Sequence, residues 1–82
     1  MTTPRISSAR FVICIDNSEY PASLELHKIY RVISDREAER DGDLRVIDES
    51  GEDYLYPKEY FTPVNLPGTV VRAIKKGYAR SL

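Results

Sequence analysis

Residues 51–64 read Gly51-Glu52-Asp53-Tyr54-Leu55-Tyr56-Pro57-Lys58-Glu59-Tyr60-Phe61-Thr62-Pro63-Val64. Gly51 closes a turn, because glycine reaches positive φ at no steric cost. Asp53 to Tyr56 reads as a strand. Pro57 has no N–H for a ladder and stops it. Lys58 to Tyr60 is then a single 3₁₀ turn, and Phe61 to Val64 a final strand. Turn, strand, proline stop, 3₁₀ turn and strand is the closing half of a small five-stranded β-barrel.

Three earlier strands follow from composition. Arg10 to Asp16 (Arg-Phe-Val-Ile-Cys-Ile-Asp) is β-branched and aromatic, and its apolar run is continuous, so both faces are expected to be covered. Lys28 to Ser34 is the second strand and Asp43 to Glu49 the third. Glu49 to Glu52 is the hairpin turn between the third and fourth strands. Between the first two strands, Asn17 to Leu26 is a long loop that opens with turn-forming residues and contains Pro21. Loops of this length are functional or packed by their own side chains. Leu24 and Leu26 are expected to anchor its return arm. Ser34-Asp35-Arg36-Glu37 fits a capping box, serine at the cap and glutamate three residues on. It heads one turn of helix at most, because no apolar face follows.

After Leu66-Pro67-Gly68, Val70, Val71 and Ile74 mark a short amphipathic helix from Thr69 to Lys76, with Gly77 as its stop. The chain divides into a flexible segment 1–8, a barrel 9–66 and a basic helix or tail 67–82.

Eighty-two residues make one domain with a small core. The net charge of −1 argues against bulk electrostatic binding of nucleic acid, but its distribution is uneven. Residues 1–66 hold eight basic and thirteen acidic side chains, a net of −5, whereas residues 67–82 carry Arg72, Lys75, Lys76 and Arg80 and no acid. That tail can clasp the acidic body, dock on an acidic protein or RNA, or fray. The clasp is favoured, because Val70, Val71 and Ile74 need cover. A single cysteine, Cys14, excludes an internal disulfide and a cysteine-based zinc site. No apolar run spans a bilayer and the N-terminus has no signal-peptide core, so a cytoplasmic protein is expected.

The strand order and loops resemble a Src-homology-3 (SH3) barrel over residues 10–64, with a 3₁₀ turn and a C-terminal α-helix. The loop after the first strand resembles the family's RT loop, Glu39 to Leu44 its n-Src loop, and Glu49 to Asp53 its distal hairpin. Tyr56-Pro57-Lys58-Glu59-Tyr60-Phe61 is similar to the family's hydrophobic-Pro-Ser-Asn-Tyr-Val segment. In peptide-binding members the matching proline and tyrosine line a polyproline groove, and here they are Pro57 and Tyr60. The family's tyrosine-rich first-strand motif is replaced by Ile13-Cys14-Ile15-Asp16-Asn17, and its groove tryptophan by Leu44. The likeness is therefore architectural, as in small stand-alone SH3-like proteins of bacteria.

Six of the eight aromatic residues are tyrosines. Tyr30 and Tyr56 suit the core, and Tyr54 a position beside the groove. Tyr20, Leu44, Pro57 and Tyr60 form the candidate protein-binding patch, since tyrosine offers an apolar face with a polar tip. Glu37 to Asp48 mimics a calcium loop at its first positions, but it ends in Asp and runs into a strand, so a solvated loop is the better reading. His27 has no partnered nucleophile, and Cys14 reads as a small core hydrophobe. There is no glycine-rich phosphate loop and no paired-histidine motif, and no cofactor is expected. The reading is a non-catalytic protein-interaction module or accessory subunit with an unidentified protein partner, itself a monomer or weak homodimer. The alternative is a nucleic-acid-associated protein using the basic tail. An enzyme is the least expected class.

Overall fold

The computed structural model describes residues 10–81, and the side chains of residues 10–74. Five strands form: β1 (Arg10–Cys14), β2 (Ile29–Ile33), β3 (Asp43–Ile47), β4 (Asp53–Pro57) and β5 (Phe61–Val64). They make one antiparallel sheet in the order β4-β3-β2-β1-β5. All five expected strands are present, β1, β2 and β3 being shorter than the apolar runs that announced them.

No ladder joins β4 to β5 among the described residues, so the sheet is open. It is nonetheless bent. β4 and β5 lie at opposite edges but are separated only by the 3₁₀ turn Lys58–Tyr60. Such a link reaches no more than ~14 Å, whereas a flat sheet would hold these strands ~19 Å apart. The 3₁₀ turn bridges the gap. Lys58 N donates to Gly42 O at 3.0 Å, ahead of β3, and Ile15 N donates to Tyr60 O at 2.7 Å, just past β1.

The concave side holds the core, because ladder partners share a face. Val12 opposes Tyr30, Val32 opposes Val46, Cys14 opposes Phe61, and Leu44 opposes Tyr56. With Leu24 and Tyr60 these residues form one apolar cluster, with Leu44 packed at its margin. Leu24, Val46 and Cys14 are sealed from solvent, and burial of each aliphatic side chain contributes ~1.5–3 kcal/mol.

The helix α1 (Arg36–Arg40) forms where one turn was expected, with its cap moved by one residue. Asp35, not Ser34, is the N-cap, its Oδ1 accepting from Ala38 N at 3.1 Å. Asp35 wins because its other oxygen, Oδ2, also accepts from Arg45 Nε at 2.8 Å, which ties the helix to β3. Ala38 is the one buried residue of the helix, which is why a segment with no apolar face still holds.

The helix α2 spans Gly68–Ser81. It begins at Gly68 rather than Thr69 and continues through Gly77, so that glycine is not a stop. A glycine inside a helix costs only ~1 kcal/mol against alanine. Val71 and Ile74 are half-buried and Val70 is exposed. The expected flexible segment 1–8, and the side chains of Lys75, Lys76 and Arg80, lie outside the described residues.

Candidate functional site

The site is built on the loop between β1 and β2, which is tied to the sheet at both arms. His27 N donates to Cys14 O at 2.7 Å and Cys14 N donates to Lys28 O at 3.0 Å. Closing this base puts His27 at φ 67, a left-handed conformation that L-residues seldom adopt. Within the loop, Tyr20 N donates to Asn17 O, and Ser23 N and Leu24 N donate to Tyr20 O. Asn17 Nδ2 reaches across to Leu24 O at 2.9 Å. Leu24 drops into the core as expected, whereas Leu26 is exposed. Across the sheet, Glu49 N donates to Ser23 O, which holds the loop against the β3–β4 hairpin.

Tyr20 is presented on top of this frame. It stays 41% exposed, while its ring meets Tyr56 edge-on at 5.1 Å and Tyr60 at 6.0 Å with a 56° tilt. Tyr60 is only 9% exposed. Its hydroxyl donates to Glu19 Oε1 at 2.7 Å, and this bond, with burial behind it, pushes its pKa up to about 12. Tyr60 therefore supports the face more than it forms it.

Ring contacts thus join two of the four expected patch residues, Tyr20 and Tyr60. Leu44 shares the core face of β3–β4 with Tyr56, and Pro57 takes the alternate position. Leu44 faces Tyr56 across the ladder, and half-buried Pro57 follows it in β4, opposite Asp43. Tyr54 is 50% exposed and donates to Glu52 Oε1 at 3.1 Å.

The rim of this face is acidic. Asp16 Oδ1 accepts from Ser18 N and Ser18 Oγ, which hold its carboxyl below the ordinary value and keep it charged. Asp16, Glu19 and Glu59 are all exposed.

Tyrosine–carboxylate pairs beneath the face were missed in the sequence. Tyr56 donates to buried Asp48, and Tyr30 donates to Glu49, which also pairs with Lys28 at 2.7 Å. Asp48 Oδ1 accepts from Ser50 N and Ser50 Oγ. That Asx turn was readable in Asp48-Glu49-Ser50-Gly51. The pairings with tyrosine were not, since they join residues far apart in the chain.

The remaining candidates resolve simply. The calcium-like segment is divided between α1, where Asp41 caps the C-terminus, and β3, and Asp48 is committed to Tyr56 and Ser50. Among the described residues no cluster of three or more His, Cys, Asp or Glu is placed to hold a metal. Cys14 is sealed in the core, and burial pushes its thiol up, away from the thiolate a nucleophile needs. Arg72 is exposed on α2, and among the described residues no ion pair ties α2 to the sheet. No helix among the described residues is long and apolar enough to cross a membrane. No protein-family model, curated protein or solved structure matches the chain.

Proposed function

We propose that the chain is an SH3-like barrel acting as a non-catalytic protein-interaction module, and that its ligand is an extended, basic segment of a partner protein. The architectural reading is supported by the strand order β4-β3-β2-β1-β5, the long loop between β1 and β2, and the 3₁₀ turn between the edge strands. The observation that carries the functional reading is Tyr20, held half-exposed over two buried tyrosines beside Asp16 and Glu19. A rigid aromatic anchor loses little entropy on binding and buries a large area. Exposed carboxylates around it favour Lys and Arg and disfavour acidic segments. Leu44 packs at the margin of the core opposite Tyr56.

Fluorescence anisotropy tests this with labelled peptide pools of equal length, one rich in Pro with Lys/Arg and one rich in Pro with Asp/Glu. The basic pool is expected to bind, and Tyr20→Ala to weaken binding about tenfold or more, the usual cost of truncating an anchor. Equal binding of both pools would exclude the acidic rim as a determinant. A labelled single-stranded RNA that bound with steep salt dependence, and lost affinity on Arg72→Glu, would favour the alternative of nucleic-acid association through α2.

A further inference from the structure

The two edges of the sheet differ in what their backbones offer. Along β3–β4, Lys58 N bonds Gly42 O at one end and Asp48 N bonds Glu52 O at the other. With the register Asp43↔Pro57 to Ile47↔Asp53, these bonds fix the alternation of the ladder. Tyr54 and Tyr56 turn their backbone groups toward β3. Asp53, Leu55 and Pro57 turn theirs outward. Along β1–β5, Ile15 N bonds Tyr60 O, so Thr62 and Val64 face β1 while Phe61 and Pro63 face outward.

The β5 edge is closed to further pairing. Phe61 N is taken by Lys58 O, and Pro63 has no N–H. The β4 edge is open. Among the described residues nothing accepts from Asp53 N or Leu55 N, and Tyr54 and Leu55 are 50% and 46% exposed. An exposed edge with unpaired donors is a template for another strand.

We infer that β4 is a self-association edge, pairing antiparallel with β4 of a second copy about a two-fold axis at Tyr54. This register sets Asp53 opposite Leu55 of the second copy and Leu55 opposite its Asp53. Each facing pair exchanges both of its backbone bonds, so every free donor on both edges is used. Pro57 falls beyond the exchanging pairs, where its missing N–H costs nothing. The two Tyr54 side chains meet at the axis, at a non-hydrogen-bonded position where cross-strand side chains come closest. Asp53 brings no bare charge to the contact, because Arg45 pairs with it at 2.9 Å. Because the edge is short, the contact sits at the small end of interface size and is weak.

Sedimentation equilibrium of the full chain at rising concentration, up to ~1 mM, reads the association directly. The wild-type mass is expected to climb from 9.4 kDa toward twice that value. Leu55→Pro removes an outward N–H that β3 does not use, so the fold is retained and association is lost. Tyr54→Lys, which sets like charges at the axis, is expected to remain monomeric and covers the case in which the proline variant fails to fold. Under mild oxidation Tyr54→Cys is expected to give a covalent dimer and Leu55→Cys none, since only position 54 faces itself. A wild-type chain monomeric at every concentration overturns the proposal. So does a dimer that persists in both Tyr54→Lys and a folded Leu55→Pro, or one that Leu55→Cys links and Tyr54→Cys does not.

Discussion

The Tyr56 hydroxyl donates to Asp48 Oδ2 at 2.6 Å inside the core, where the two residues are 4% and 6% exposed. Asp48 is the one buried acid among the described residues, and it is fully engaged: Ser50 supplies two bonds to Oδ1 and Tyr56 one to Oδ2. The pair joins the β3–β4 turn to the tyrosine on which Tyr20 rests.

Tyr56→Phe leaves the Asp48 carboxylate one donor short in a dry site. The expected cost is ~1–2 kcal/mol. Asp48→Ala also removes the turn contacts and strands the hydroxyl, for ~2–3 kcal/mol. Urea denaturation at neutral pH measures both, and equal costs for the two variants would contradict this ordering.

Acid should weaken the fold through the same region. Burial pushes the Asp48 carboxyl up, but bonds from Ser50 and Tyr56 outweigh it and hold the pKa below the ordinary 3.8. Glu49 is held below its ordinary 4.5, first by Lys28 and then by Tyr30. A depressed folded pKa means that the stabilisation is complete above the unfolded value and is lost as pH falls through the folded one. Stability is therefore flat above about pH 5 and declines below about pH 4. Asp48→Asn should flatten that decline, as read from urea midpoints across the acid range.

At the alkaline end the sign reverses. Tyr56 is pushed up to about 12, by burial first and then by Asp48, and Tyr60 to about 12, by Glu19 first and then by burial. The unfolded chain loses these protons near the ordinary 10.0, so stability is complete below that pH and is lost as pH rises toward 12. Phenolate absorbance should show Tyr56 and Tyr60 ionising only with or after the melting of the fold. Early ionisation of all the tyrosines would contradict the pairings.

The sheet was legible in the sequence because its signals are local. β-branched runs mark β1 to β3, Gly51 marks the hairpin, and Pro57 marks the 3₁₀ turn that carries the chain between the sheet edges. Closure by pairing was not legible, since it depends on whether β4 and β5 align after the bend. The α1 cap was misplaced because Ser34 and Asp35 are equal candidates locally, and Arg45, ten residues on, decides between them. Tyr20 was identified as a surface residue. Its support by Tyr56 and Tyr60 depends on contacts spanning up to forty residues, which no local pattern records.

His27 is the one described residue other than glycine at positive φ. Its strain closes the base of the loop through His27 N and Cys14 O. His27→Gly should relieve it and stabilise the fold by ~1 kcal/mol, whereas Gly51→Ala, at φ 85, should destabilise it by a similar amount. Thermal midpoints moving in opposite directions would verify both.

The most direct test of the ligand face is a nitrogen-15 NMR titration of the full chain with an extended, proline-containing Lys/Arg peptide. Saturable shifts are predicted at the amides of Ser18, Glu19, Tyr20, Lys58 and Tyr60, with those of α2 unmoved, and Tyr20→Ala should suppress them. Shifts confined to α2, or none at saturating peptide, would contradict the account.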